Sequence, residues 1–388
     1  MFLSVHRTPS QQWDIFCRVI DNFGDIGVSW RLARQLVSEH SVQVRLWVDQ
    51  LVSLHALCPQ VDAGAVRQVV SGVEVFWYDD SHEAADFPPP ADVVIEVFGC
   101  GLPQRYVNAM AACETKPLWI ILEYLSAEPW VREHHGLPSP HPQLGWLRYF
   151  FFPGFSEGTG GVLREADLLS RRDAFDRQAR QQCWSRWGFD DVPQDTLAIS
   201  LFAYTHAPYP ALLDACAQGA SPVVMTIPDG PLALRVRDYL RCGAAQRSRK
   251  DNLEVRFLPF VPQADYDELL WASDINFVRG EDSFVRAQWA GRPFVWHIYP
   301  QAADAHRVKL DAFLECYGAS LPAAAASAVH GLWYAWNGVA GAPPVADVWP
   351  AFMDALAAQR QGLRHWQDHL TSVGDLASHL LKFSRKMI

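Results

Sequence analysis

Short apolar runs, spaced by stretches of helical periodicity, give the first picture of this chain. Trp13–Ile20 (WDIFCRVI) is apolar, aromatic and β-branched, which predicts a buried strand. Asp21–Gly27 (DNFGDIG) is dense in turn residues. From Val28 to His40, Trp30, Ala33, Leu36 and Val37 recur at helical spacing while Arg31, Arg34 and Gln35 lie off that stripe, so a helix is predicted. Val42–Asp49 (VQVRLWVD) reads as a second strand, and Val73–Tyr78, Ala91–Phe98 and Leu118–Tyr124 as three more. Their spacing leaves room for the crossover helices that parallel pairing requires.

The stretch Pro153–Gly161 (PGFSEGTGG) interrupts this pattern, and a polar helix is predicted over Arg164–Trp187. A domain boundary is expected between them. A second α/β series follows. Its strands are expected at Thr196–Tyr204, Pro222–Ile227, Glu254–Pro259, Asp274–Val278 and Pro293–Tyr299. Helices are expected near Tyr209–Gly219, Pro231–Cys242, Gln263–Ala272, Ser283–Ala290 and His306–Tyr317. Ala323–Val345 has no clear period, and Trp349–Phe383 reads as one or two helices. The expected layout is an α/β chain with Rossmann-like domains at 1–160 and 161–359, and a C-terminal helix within 360–388 returning to the first. Such domains bind ligands at the C-terminal ends of their strands.

Composition sharpens this picture. The 388 residues suit two domains at about 100–200 residues each. The 8 cysteines contain no C-x-x-C pair, which points to free thiols in a reducing compartment. No apolar run of about 18 residues occurs, and the first residues lack the basic and apolar segments of a signal peptide. The expected location is the cytoplasm, with no membrane partner. A net charge of −10 disfavours nucleic acid, whose phosphates are held by Lys and Arg, and suits a cationic partner. The 16 Trp are expected mainly in the cores.

Four constellations stand at predicted strand ends. In Asp21-Asn22-Phe23-Gly24-Asp25-Ile26-Gly27, the glycines allow a tight turn, but the G-x-G-x-x-G of a dinucleotide site is missing. Its two carboxylates repel a pyrophosphate and suit a base or a cation-binding role, or else cap the following helix. In Arg279-Gly280-Glu281-Asp282-Ser283, a helix start is placed to hold phosphate oxygens, with Glu281 able to accept from sugar hydroxyls; the alternative is a plain capped turn. Phe260 and Gln263, in the proline-framed loop FLPFVPQ, suit stacking on a base and reading its edge, or a rigid core connection. Phe202 and Tyr204 share a strand face and point either into a ligand site or into the core. Glu128, His134, His135 and His141 lack metal-ligand spacing, His297 and His306 each read as a single core or surface histidine, and no nucleophile elbow or Walker motif is present.

Taken together, WDIFCRVIDNFGDIGVSWRLARQL, FLPFVPQADYDELLWASDINFVRGEDSFVRAQWAGRPFVWHIYPQ and the pair Phe202/Tyr204 resemble the protein-arginine rhamnosyltransferases that modify elongation factor P. The resemblance runs from about Trp13 to Tyr317. It implies a GT-B fold, two Rossmann-like domains facing an interdomain cleft. It also implies transfer of L-rhamnose from dTDP-β-L-rhamnose to a guanidine nitrogen of one arginine of the factor, with inversion and with neither metal nor other cofactor. By motif, Asp21 and Asp25 match the family's acidic pair, with Asp25 favoured as the proton acceptor and Asp21 orienting. Asn22, Phe23 and Gly24, in the same loop, are counted as substrate-binding. Glu281, Asp282 and Ser283 match the sugar-nucleotide loop, with Glu281 counted as catalytic. Phe260 and Gln263 match the thymine-binding positions and Phe202 and Tyr204 the donor-side aromatics, while Tyr266 stands where the family can carry Phe. In the family, such modification relieves ribosomes stalled at polyproline.

The chemistry agrees with that implication. A guanidinium is a poor nucleophile, with a pKa above about 12 and delocalised lone pairs. A carboxylate forks onto two of its N–H groups and takes a proton as the bond forms. Three other readings compete: a GT-B enzyme with another acceptor, a non-catalytic sugar-nucleotide sensor, and an NAD-linked oxidoreductase. A hydroxyl acceptor needs a single base, a sensor has no need of the carboxylates, and the third lacks its glycine motif.

Overall fold

The computed structural model describes residues 11–21, 23–82, 87–193, 196–301 and 305–388. They form two compact units, 1–166 with 373–388 and 167–372.

Unit 1 opens with β1 (Gln12–Cys17), α1 (Gly24–His40), β2 (Gln43–Val48), α2 (Leu51–Leu57), β3 (Arg67–Val70) and β4 (Val73–Trp77). It continues with β5 (Val93–Val97), α3 (Gln104–Ala112), β6 (Leu118–Leu122), α4 (Trp130–His134), β7 (Pro138–Pro140) and β8 (Leu147–Phe151). The sheet order is β3-β4-β2-β1-β5-β6-β8-β7. All neighbours pair in parallel except the outer hairpin partners β3 and β7. The chain winds outward from β1 through β2, then returns to its other side at β5. The switch point between β1 and β5 is therefore where a ligand site forms.

The sequence places strand one over Trp13–Ile20, but β1 stops at Cys17. Beyond it the backbone is held by side chains: the Val19 N–H donates to Asp49 Oδ1 (2.9 Å), and Gln50 Nε2 donates to the Val19 carbonyl (3.1 Å). Helix α1 begins at Gly24, earlier than the predicted Val28, and buries more than one stripe. Arg31 and Gln35, expected on its open side, are buried. Arg31 meets Glu165, and Gln35 donates to the Arg164 carbonyl and to Asp375.

One face of the sheet carries an aromatic core of Phe16, Trp47, Phe76, Tyr78, Phe87, Tyr106 and Trp119. Asp14 is fully buried beneath it and is satisfied by Arg45 Nε and Nη2 (2.6 Å each), Trp47 Nε1 (3.0 Å) and the Tyr106 hydroxyl. A buried charge persists only when paired and hydrogen-bonded in this way.

Residues 153–161, expected to precede the domain boundary, are packed structure. Phe155, Thr159, Val162 and Leu163 are buried. A Cβ on Gly160 would meet the Phe151 ring at 2.5 Å. One on Gly161 (φ +72°) would meet the Gly374 carbonyl oxygen at 2.4 Å. The glycines here permit close approach, not looseness.

Unit 2 starts with α5 (Leu168–Asp173) and α6 (Arg177–Arg186), two helices where the sequence predicts one. Asp176 ends the run by capping α6, its carboxylate accepting from the Ala179 N–H. Then come β9 (Leu197–Leu201), α7 (Tyr209–Gln218), β10 (Val223–Pro228), α8 (Pro231–Leu240), β11 (Arg247–Lys250), β12 (Leu253–Leu258) and α9 (Gln263–Ala272). After these follow β13 (Ile275–Arg279), α10 (Asp282–Ala290), β14 (Phe294–His297), α11 (Ala305–Gly318) and α12 (Ala323–Trp336). Last are α13 (Val345–Asp354), α14 (Leu356–Val373) and, in unit 1, α15 (Leu376–Met387). The sheet order is β11-β12-β10-β9-β13-β14, parallel except for the edge strand β11. Its switch point lies between β9 and β13.

The unassigned alanine-rich stretch holds α12, whose inward face is Val329, Leu332, Trp333 and Trp336. The tail is three helices, not one or two. Trp13, Trp30, Trp47, Trp184, Trp289, Trp333 and Trp336 are fully buried, so most of the tryptophan excess is core. Among the described residues, no helix is long and apolar enough to cross a membrane.

Candidate active site

Two loop clusters occupy the two switch points, one in each unit. In unit 1, Asp25 belongs to the first turn of α1, not to a loop, and is 3% exposed. Its Oδ2 accepts the N–H groups of Ile20 (2.7 Å) and Asp21 (2.9 Å). Its Oδ1 accepts from no described residue. Burial raises the Asp25 pKa, the two N–H bonds oppose that shift, and the charges of Asp21 and Asp49 add to it. The N-cap position of α1 is Phe23, which makes no side-chain cap, so neither Asp21 nor Asp25 is the N-cap residue of this helix. Asp21 is half-buried. A Cβ on Gly24 would lie 2.9 Å from Asp21 Oδ2, so this glycine makes room for the carboxylate. Its backbone is helical, and a tight turn is not its reason. Asn22 lies outside the described residues.

Just after β5, the strand that pairs with β1, lies a feature outside the four sequence motifs. Phe98 has φ +55°, Gly99 +60° and Gly101 +76°. The Phe98 ring stacks on Tyr124 with centroids 4.0 Å apart and planes at 4°. Glu96 braces the loop by accepting from the Gly101 N–H (2.9 Å) and Trp119 Nε1 (3.1 Å). Glycine-rich sequence at a strand end was the available signal, in the run Phe98-Gly99-Cys100-Gly101.

In unit 2, β9 ends at Leu201, so Phe202 and Tyr204 both lie past the strand and both are half-buried. The Arg279 guanidinium sits over each ring, 4.7 Å from Phe202 and 4.5 Å from Tyr204. Arg279 was not singled out from sequence, although it opens the RGEDS run. Phe202 also meets Tyr266 edge-on at 6.2 Å. Tyr266 is buried, which raises its phenol pKa; Ser283 opposes that rise and the charge of Asp282 adds to it.

Helix α10 starts one residue earlier than predicted, with Glu281 at the N-cap position and no side-chain cap. Gly280 (φ +65°) turns the chain into it. Ser283 Oγ accepts the Arg279 N–H (3.2 Å) and donates to the Arg279 carbonyl, tying the helix start to the end of β13. Gln263 Nε2 donates to Asp282 Oδ2 (3.1 Å), so the α9 and α10 starts are joined. Phe260 is half-buried in the loop before α9.

A second residue beside the cluster is His297, one of the two histidines that the sequence leaves as single core or surface residues. It is 2% exposed, and its Nδ1 accepts the Tyr204 N–H at 3.2 Å. Burial, then His206 and Arg279, lower its pKa to about 3, so the ring is neutral.

The cluster thus brings together Phe202, Tyr204, Tyr266, Asp282, Ser283 and Gln263 around Arg279. A cavity of about 1200 Å³ by Trp47 and Phe76, and one of about 240 Å³ by Arg180 and Arg292, contain none of these residues. Among the described residues, no three His, Cys, Asp or Glu side chains gather as a metal site.

Comparison with known proteins gives this geometry a family. A protein-arginine rhamnosyltransferase of Pseudomonas putida is 47% identical over 383 residues, covering 97% of this chain and 99% of its own. That of Pseudomonas aeruginosa is 45% identical over 377 residues, covering 96% and 98%. A solved structure described as the basis for EarP-mediated arginine glycosylation of elongation factor EF-P is 35% identical, with a TM-score of 0.69 over 98% of this chain and 100% of that one. The spinosyn rhamnosyltransferase SpnG with thymidine diphosphate, 11% identical, matches with a TM-score of 0.53 over 96% and 99%, and shares the fold alone. The fold is α/β of the GT-B class. The model of the elongation factor P (EF-P) rhamnosyltransferase EarP matches residues 13–385, and the chain belongs to that family of glycosyltransferases.

Proposed function

We propose that this enzyme moves L-rhamnose from dTDP-β-L-rhamnose to a guanidine nitrogen of one arginine of elongation factor P, with inversion and without a metal. The observation that carries the reading is the family match from residue 13 to 385, which spans both the acidic loop and the donor loop. The physical sequel is release of ribosomes stalled at polyproline, and the expected setting is the cytoplasm, with no nucleic-acid or membrane partner.

In this reading unit 2 takes the donor. Phe260 stacks on thymine, Gln263 reads its edge, and Phe202, Tyr204 and Tyr266 form the aromatic wall. The first turn of α10, from Asp282 and Ser283, offers N–H groups to the diphosphate. Arg279, already aligned over two rings, adds a fixed cation where the leaving group gains charge. Glu281 accepts from sugar hydroxyls.

Unit 1 takes the acceptor. The guanidine nitrogen forms a bond to the anomeric carbon while the carbon–oxygen bond to the diphosphate breaks and dTDP leaves with the electron pair. Attack from the face opposite dTDP inverts the centre. The nitrogen's proton passes to Asp25, whose raised pKa suits a base, while Asp21 orients the guanidinium. Phe23 and Gly24 shape that loop.

Mass spectrometry with dTDP-rhamnose and three acceptors tests the reading: native factor, a factor with Lys at the acceptor position, and free arginine. Only the native factor is expected to gain a rhamnose efficiently. Lysine lacks the planar fork, and free arginine lacks the binding energy of a folded acceptor. No mass gain on the native factor would sink the proposal.

A further inference from the structure

Five described non-glycine residues have positive φ: Ser41, Ser71, Phe98, Arg241 and Asp251. Four have an ordinary reason. Ser41 and Arg241 end α1 and α8 as left-handed C-caps. Ser71 and Asp251 are in the turns of the β3–β4 and β11–β12 hairpins. Phe98 is neither a cap nor a hairpin turn. It follows a parallel strand at the switch point of unit 1, and a left-handed conformation at a bulky residue is strained.

The surroundings hold it there. The Phe98 N–H donates to the Leu122 carbonyl at 2.6 Å, and the Cys100 N–H to the Val97 carbonyl at 3.1 Å. Cys100 Sγ donates to the Phe16 carbonyl at 3.4 Å, tying the loop to β1, the strand that leads to Asp21 and Asp25. The strain aims the Phe98 ring flat against Tyr124. Both rings are half-buried, so the pair is a platform with apolar area left open. A Cβ on Gly99 or Gly101 would meet nothing within 4 Å, so there is open space beside it.

We infer that Phe98 and Tyr124 form a stacking platform that receives the planar guanidinium of the acceptor arginine, next to the carboxylates of Asp21 and Asp25. This rests on the acceptor assignment above and adds residues to that site. The carboxylates bind the guanidinium at its edge, through N–H groups lying in its plane. They leave the tilt of that plane loose. The lone pair that attacks the anomeric carbon is perpendicular to the plane, so tilt decides trajectory. An aromatic face sets the tilt, covers one side and leaves the other to react. Unit 2 uses the same pairing internally, where Arg279 lies over Phe202 and Tyr204.

Three substitutions in the full-length enzyme test this: Phe98→Gly, Phe98→Tyr and Tyr124→Leu. Glycine accepts the positive φ, so Phe98→Gly removes the ring while keeping the backbone. The expected result is a fall in kcat/KM for elongation factor P of about tenfold or more, given the usual strength of a cation over a ring. The Kd for dTDP measured by calorimetry is expected to stay unchanged. Phe98→Tyr is expected to restore kcat/KM, and Tyr124→Leu to behave like the glycine variant. If native enzyme modifies the factor and Phe98→Gly does so equally well, the platform is wrong. Loss of dTDP binding in Phe98→Gly also overturns it, because the ring then serves the fold. If native enzyme fails on the factor altogether, the acceptor assignment falls first, and the two failures are thereby told apart.

Discussion

Asp25 holds two backbone N–H groups while 3% exposed, so the carboxylate that is the base in the proposed reaction also shapes its own loop. These tasks separate in Asp25→Asn, which keeps an acceptor oxygen but loses the charge. Burial raises the folded pKa above 3.8. A raised acid pKa favours the folded state below the unfolded value, and that contribution is lost as pH climbs through the folded value. Ionised Asp25 is therefore held at a cost at neutral pH. In Asp25→Asn, rhamnose transfer is expected to collapse, while stability relative to native improves as pH rises above about 4. Near-native turnover would demote Asp25 to a loop brace. His297 has the opposite sign. Its pKa falls from 6.5 to about 3, so the stability it gives is present above 6.5 and is lost as pH drops toward 3. The full shift is worth on the order of a few kcal/mol. His297→Asn, which can still accept the Tyr204 N–H, is expected to flatten the acid limb of a stability–pH curve measured by urea denaturation. An unchanged slope would mean that another group sets acid lability.

At the scale of elements, Gly161 shows packing that composition disguises. Its Cβ position is 2.4 Å from the Gly374 oxygen, and its φ is +72°. Gly161→Ala thus meets both left-handed strain and a backbone clash, about 2–4 kcal/mol together. Gly188 (φ +76°) has nothing within 4 Å, so Gly188→Ala is expected to lose only the strain, about 1–2 kcal/mol. Equal losses in chemical denaturation would show that the contact yields freely. The same residue marks where sequence stops being legible. Parallel strands such as Val93–Val97 and Leu118–Leu122 are continuous apolar runs and declare themselves. The three-residue edge strand Pro138–Pro140 and the polar edge Arg247–Lys250 carry no such run, because an edge strand has little to bury. The start of α1 was hidden because its first turn, Gly24 to Gly27, is written in turn residues. Phe202, Tyr204, Gln263, Asp282 and Ser283, singled out from their motifs, come together in one cluster. Arg279 and His297 became visible only when the sheet brought Phe202 and Tyr204 beside them. Phe98 was hidden because nothing in a side chain announces an adverse φ.

At the scale of the molecule, the order in which the chain completes its units has consequences. Unit 2 is one continuous stretch, 167–372, whereas unit 1 needs the end of the chain, 373–388. Helix α15 buries Leu376, Ala377, Leu380 and Leu381, all at most 7% exposed. Three such leucines contribute about 5–9 kcal/mol of burial, comparable to the whole stability of a typical domain. Asp375 fixes the register by capping α15 at Ser378 (3.0 Å) and by accepting from Gln35 (3.2 Å). Removing residues 373–388 is therefore expected to unfold unit 1 and spare unit 2. If unit 2 carries the donor site, the shortened chain keeps its affinity for dTDP and loses transfer. Scanning calorimetry gives a second readout. In the intact protein, dTDP at about 100 times its Kd adds about 2.7 kcal/mol to whichever unit binds it. One transition is expected to move upward with dTDP, and the other is expected to vanish on truncation. A shortened chain that still transfers rhamnose would refute the dependence of unit 1 on α15. One that no longer binds dTDP would place the donor site, or its support, outside unit 2.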